Sequence, residues 1–212
     1  MKKFLQYLQE APLPDDWDAA IYSERVPFSQ RIKYAKARAK QLGSGSSRVA
    51  FEIPYQGRKT VLKIAKNQKG MAQNGEEASS LSDWYLKKLG ITIPLIDYDE
   101  LSDNPTWIHT EFAEKAKQSD FKKATGVPLY DFVMYCVEQS GRKRVTYNNA
   151  EDVGINPDSE LVQSFTEYIG NYSHHPWMDY TVLRNWGIYQ GRPVIIDIGL
   201  TNDIWNAHYL RR

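Results

Sequence analysis

Asn185 begins and Asp197 ends a pair of short strands about the tight turn Gln190-Gly191. Such a hairpin brings an amide oxygen and a carboxylate to one edge, where they could serve as hard-oxygen ligands for magnesium. The β-branched run Val194, Ile195, Ile196 stops abruptly at Asp197, an expensive place for a charge unless it meets a cation. A surface hairpin with an Asn cap and an Asp turn would read the same way. Upstream, Lys63 stands inside Thr60-Val61-Leu62-Lys63-Ile64-Ala65, where Val61 and Lys63 share one face and Leu62 and Ile64 the other. A cation in so apolar a strand needs a partner, or else its amine snorkels out from an edge strand.

The stretch Gly43-Ser44-Gly45-Ser46-Ser47 precedes this strand pair. Backbone without Cβ atoms can close over phosphates and donate N–H groups to them, although a Gly-Ser run also serves as a plain linker. His174-His175 invites a metal assignment. Adjacent histidines on a strand point apart and no third ligand is evident, so zinc is not expected.

The elements that must position these groups follow from periodicity. Helices are expected over 29–42, 75–89, 129–140 and 158–172, and strands over 48–54, 59–65, 91–98 and 106–112. Residues 67–75 read as a polar loop, 113–125 as a charged connector with helical propensity, and 141–157 as a polar loop. The helix over 75–89 should turn Ala78, Leu81, Trp84, Tyr85 and Leu89 towards the sheet. Strands first and helices later imply an α+β chain of two lobes with a cleft between them. The segments would be 1–28 as a helix and linker, 29–113 as an antiparallel-sheet lobe, and 114–212 as a short helical lobe that carries the hairpin.

Composition narrows the function classes. A formal charge of +1 over 212 residues gives no bulk electrostatic reason to bind nucleic acid or a membrane. The single cysteine, Cys136, excludes an internal disulfide framework and reads as a packing residue. No apolar run approaches the roughly 18 residues that span a bilayer, and residues 1–10 lack a secretory h-region, so a reducing cytosol is the expected compartment.

In their order along the chain, the Gly-rich hairpin, the strand lysine Lys63, the helix start Glu76-Glu77, Asn185 and Asp197-Ile198-Gly199 resemble the protein-kinase-like superfamily. The resemblance implies ATP and magnesium as cofactors, with Gly43, Ser44, Gly45, Ser46 and Ser47 over the phosphates and Lys63 on them. It pairs Lys63 with a helix glutamate, for which Glu77 is preferred because Leu81 lies one turn beyond it on the inward face. Glu111 and Ala113 fall where backbone groups would meet adenine, and Asp179 where a base would take a hydroxyl proton. Arg48 stands where a third glycine is expected, no His-Arg-Asp precedes the loop, and Asn185 follows Asp179 by six positions rather than five. With 15 residues after Asp197, the helical lobe would be minimal. The activity implied is an ATP-dependent phosphotransferase. Competing readings are a pseudokinase that binds a host or phage protein, and a packaged virion protein without nucleotide. The last draws on Met1–Glu10, which resembles the capsid-targeting peptide of internal head proteins of T-even-like bacteriophages. A protease would then cut between Glu10 and Ala11, and the protein would act in the host cytoplasm or travel in the virion head.

Overall fold

The computed structural model describes Pro14 and residues 17–23, 25–100, 104–143 and 153–210. It is an α+β chain with an antiparallel sheet first and helices later, the class expected. The described residues fall into two compact units, one formed by the chain up to Ser79 with Pro94–Phe112, the other by Ser80–Ile93 with Ala113 onwards. The expected capsid-targeting segment, residues 1–10, lies outside the described residues.

The first unit is built on a five-stranded antiparallel sheet in the order β1-β2-β3-β5-β4, comprising β1 (Lys40–Ser44), β2 (Arg48–Tyr55), β3 (Arg58–Ala65), β4 (Leu95–Tyr98) and β5 (Trp107–Glu111). Alternation decides its faces. Val49, Phe51 and Ile53 pair with Ile64, Leu62 and Thr60, and this face forms the core with Tyr22, Trp107 and Ala35 of helix α1 (Phe28–Lys36). The opposite face carries Arg48, Ala50, Val61, Lys63 and Ala65. At the β2–β3 turn, Gln56 and Gly57 both take positive φ, 48° and 74°, which suits a two-residue hairpin.

Two expectations in this unit are corrected. The helix over 29–42 ends at Lys36, and residues 40–44 form an edge strand instead, because Lys40 pairs with Glu52 and Ser44 with Val49 across the sheet. The polar loop over 67–75 is the first half of a helix, α2 (Gln68–Ser82). Asn67 starts it by accepting the Gly70 N–H at 3.1 Å. Gly70 is needed there, since a Cβ would lie 2.1 Å from the Ser47 carbonyl oxygen.

In the second unit Asp83 caps a separate helix, α3 (Trp84–Leu89), with its carboxylate on the Tyr85 and Leu86 N–H groups at 2.7 and 3.0 Å. Trp84 therefore does not face a sheet; it is 73% exposed, and Leu86 takes the buried position. A three-stranded antiparallel sheet joins β6 (Glu114–Lys115), β7 (Trp186–Tyr189) and β8 (Arg192–Ile195), and Ile91–Ile93 lies along β8 through Ile93 N to Ile195 O at 2.9 Å. Helices α4 (Gln118–Thr125), α5 (Leu129–Gln139) and α6 (Glu160–Asn171) contribute Phe121, Phe132, Phe165 and Tyr168 to an aromatic core completed by Tyr180 and Trp186. The last helix, α7 (Asn202–His208), is capped by Thr201. Cys136 is fully buried in α5, the packing role expected of it. No helix among the described residues is long and apolar enough to cross a membrane.

Candidate functional site

Each unit carries its own cluster of candidate residues. In the first, the turn between β1 and β2 holds Gly43–Ser47 and closes through the Gly45 N–H on the Arg48 carbonyl at 2.9 Å. Ser44, Gly45 and Ser46 are exposed and Ser47 is buried. The turn is fastened at several points. Lys66 Nζ donates to the Gly45 carbonyl at 2.8 Å, Asn67 Nδ2 to the Ser46 carbonyl at 3.1 Å, the Lys66 N–H to the Ser47 carbonyl at 2.7 Å, and the Ser47 hydroxyl to Gln73 of α2.

Beneath it, Lys63 Nζ donates to Glu77 Oε1, so the helix glutamate that meets the strand lysine is Glu77 and not Glu76. Glu77 is fully buried, and Lys63 is 8% exposed. A carboxylate removed from water in this way is tolerable only with cationic partners and hydrogen bonds. A second cation is present: Arg48 Nη1 lies 2.6 Å from Glu77 Oε2 and 3.3 Å from Asn74 Oδ1. Asn74 is held in turn, donating from Nδ2 to the Pro105 carbonyl at 3.0 Å. Gln73, Asn74 and Glu77 share one face of α2 by their three- and four-residue spacing. Glu111, assigned by resemblance to a nucleobase contact, has its N–H on the Pro94 carbonyl at 3.0 Å and its carboxylate on Arg58 at 2.8 Å. His109 is a packing residue, its Nε2 2.7 Å from Thr60 Oγ1 on the core face.

In the second unit two short 3-10 turns, Trp177–Thr181 and Leu183–Asn185, lead into β7. They bring together the three oxygen-bearing residues singled out from the sequence. Asn185 Nδ2 donates to the Asp179 carbonyl at 2.8 Å, and the Asn185 carbonyl accepts the Ile196 N–H at 2.9 Å, which sets Asp197 beside it. Each of the three is followed by a buried apolar residue: Tyr180, Trp186 and Ile198. Trp186 Nε1 donates to the Tyr180 carbonyl at 2.8 Å, and the Tyr180 hydroxyl bonds that of Tyr168. The Tyr180 hydroxyl is held well above its usual pKa, first by burial, then by Tyr168, and further by the charges of Asp179 and Asp197. Both carboxylates therefore act on one neighbourhood. With Nδ2 of Asn185 engaged, its Oδ1 remains as the ligand atom, and an amide oxygen with a half-buried Asp197 carboxylate fits a hard cation such as magnesium. Ala113 sits against Gly187, where a Cβ would come within 2.6 Å of the Ala113 methyl.

The two adjacent histidines do not point apart. They lie off any strand, with ring centroids 4.3 Å from each other, because 3-10 and turn geometry replaces the strand expected there. Burial pushes the pKa of His175 down to about 3, with the neighbouring His174 adding to the effect.

Sequence reasoning had noted Arg48 only as a departure from a glycine pattern. It had missed Asn74 and Gln73 because they were assigned to a loop, and Tyr180 because nothing local marks it. The signal for Arg48 was present in the alternation, since it shares the Lys63 face of the sheet.

No family model and no curated protein matches the chain. Among solved structures, aminoglycoside phosphotransferase APH(4)-Ia matches at 14% identity and a TM-score of 0.35, over 81% of this chain and 71% of that one. A thermostable mutant of the same enzyme, in a ternary complex with AMP-PNP and hygromycin B, matches at 14% identity and a TM-score of 0.35, over 77% of this chain and 66% of that one. At this distance neither the activity nor the substrate of that enzyme transfers to this chain.

Proposed function

We propose that the chain is a kinase-like protein that binds ATP with magnesium and transfers a phosphoryl group. The observation that carries this is the buried pair of Lys63 and Glu77 beneath a glycine-containing turn. In the first unit Lys63 would hold the phosphates, oriented by Glu77, with the Gly43–Ser47 turn above them. The Glu111 N–H is already engaged, so the nucleobase contact would fall to the Glu111 carbonyl and the Ala113 backbone. In the second unit Asn185 and Asp197 would hold magnesium, which supplies charge neutralisation on the phosphates. The Asp179 carboxylate would accept the proton of the attacking hydroxyl. Positioning and charge neutralisation supply most of the catalysis in phosphoryl transfer, so such a set suffices in principle.

Thermal stability of the purified chain with and without ATP and magnesium tests this. Ligand at about 100 times its dissociation constant should add about 2.7 kcal/mol, and no shift at any concentration overturns the reading. A pseudokinase that binds nucleotide and a host or phage protein is favoured by one observation, Arg48 in place of the third glycine. Stabilisation by ATP without turnover would select it. Independently, the pattern of Met1–Glu10 supports cleavage after Glu10 and packaging into a phage head. Mass spectrometry of mature particles should find a chain that begins at Ala11; an intact Met1, or absence from particles, removes that proposal and leaves the host cytoplasm.

A further inference from the structure

Arg48 occupies an unusual place in the first unit. It is the first residue of β2, immediately after the glycine-containing turn, and its carbonyl closes that turn. In the sheet register Arg48 pairs with Ala65 and Ala50 with Lys63, so Arg48 and Lys63 are diagonal neighbours on one face. Like charges so placed repel. Here both are drawn to a single carboxylate, Glu77, one on each oxygen. The three side chains together carry a formal charge of +1, all of them at most 8% exposed.

The turn above them is not arranged to wrap a ligand with its amides. The Gly45 N–H is committed to Arg48, the carbonyls of Gly45, Ser46 and Ser47 accept from Lys66 and Asn67, and Gly70 lets α2 press directly on Ser47. A turn fastened in this way contributes fewer donors than a mobile glycine loop. A guanidinium has five N–H donors in a planar fork that matches phosphate oxygens, and both contacts described for Arg48 use Nη1.

We propose that Arg48 is a phosphate-binding residue of this site: its guanidinium, together with the Lys63 amine, takes over the recognition that a third glycine and its loop amides would otherwise supply. Asn74, fixed by the Pro105 carbonyl, sets the plane of the fork. The ligand class is a polyphosphate ester, a nucleoside di- or triphosphate, because two buried cations with one carboxylate favour more than a single negative charge. The proposal rests on the nucleotide reading of the site.

Titration calorimetry of the full chain with ATP, ADP, AMP and tripolyphosphate, repeated for Arg48→Ala and Arg48→Lys, tests it. Circular dichroism checks that each variant is folded. Arg48→Ala should weaken ATP, ADP and tripolyphosphate by about tenfold to a hundredfold, the value of one or two charge-assisted hydrogen bonds, and change AMP much less. Arg48→Lys keeps a cation on Glu77 and so keeps the fold, but loses the fork. It should show the same order of ligands with a smaller loss, and it serves alone if Arg48→Ala does not fold. If the unaltered chain binds ATP and both folded variants bind it equally well, Arg48 is structural and the proposal fails while the nucleotide reading stands. If the unaltered chain binds none of the four probes, both fail together.

Discussion

In the first unit Glu77 is held by two cations that arrive from different strands, Lys63 from β3 and Arg48 from β2. In the second, Asp179, Asn185 and Asp197 are held by the buried residue that follows each of them, Tyr180, Trp186 and Ile198. The first cluster is thus assembled by charge across the sheet, the second by apolar packing that carries polar neighbours along. The titratable groups that each unit buries differ to match. The first buries opposite charges in contact. The second buries groups kept neutral: His175 with its pKa pushed down to about 3, Cys136 with its thiol pushed up to about 12, and Tyr180 raised well above its usual value. Altering a charge should therefore damage the first unit's fold, whereas in the second it should alter ligand response and leave the fold nearly intact.

The largest effect is expected at the shared carboxylate. Glu77→Ala leaves Lys63 and Arg48 buried without it, and breaking a buried pair in this way costs about 3–5 kcal/mol. Urea denaturation measures it, and a loss below about 1 kcal/mol would mean that the cluster relaxes into water. Asp197→Asn makes the contrast. Its denaturation midpoint should move by no more than about 0.5 kcal/mol, as for a change away from the core. The magnesium-dependent part of the stabilisation by ATP, up to about 2.7 kcal/mol in the conditions above, should vanish. If that part persists, the hairpin is structural only.

Acid should find the second unit first. His175 takes up a proton in the unfolded chain near its usual pKa of about 6.5 but in the folded chain only near about 3, so the unfolded state binds more protons between these values. Its contribution is complete above the upper value and is lost as pH falls through the window, about 2 kcal/mol by about pH 5 at one pKa unit per 1.36 kcal/mol. His175→Phe should flatten that part of the stability profile, and an unchanged slope would show that His175 does not carry it. The smallest effect is at Tyr180→Phe, which removes the hydroxyl contact with Tyr168 and should cost about 1 kcal/mol. Because Phe keeps the aromatic packing, the ATP and magnesium response should survive; its loss would mean that the hydroxyl, and not the ring, positions Asp179.

Much of the arrangement could be read from the chain because it is local. Alternation placed Lys63 on the face opposite Leu62 and Ile64, helical spacing chose Glu77 over Glu76, and Gln190-Gly191 marked a turn whose φ values are 49° and 81°. The same rules failed where distant partners decide. Residues 40–42 carry an acceptable helical pattern, but cross-strand pairing of Lys40 with Glu52 makes them an edge. Two glycines within 68–82 argued for a loop, yet Gly70 is a contact point with Ser47 within a helix. Trp84 looked like a core residue until Asp83 started a new helix and reversed the face.

By itself, then, the sequence determined the period-2 and period-3.6 patterns, the turns with their glycines, and the residue types that could bind phosphate or a hard cation. Only the tertiary structure decided that Arg48 joins Lys63 on Glu77, since the two cations are neighbours through strand register and not through the chain. It alone also decided that Asp179, Asn185 and Asp197 meet, because that meeting depends on Tyr180 and Trp186 entering an aromatic core supplied by α4, α5 and α6. Local patterns are set by sterics within a few residues, whereas burial of charge and packing of rings are set by whatever the rest of the chain brings to the same place.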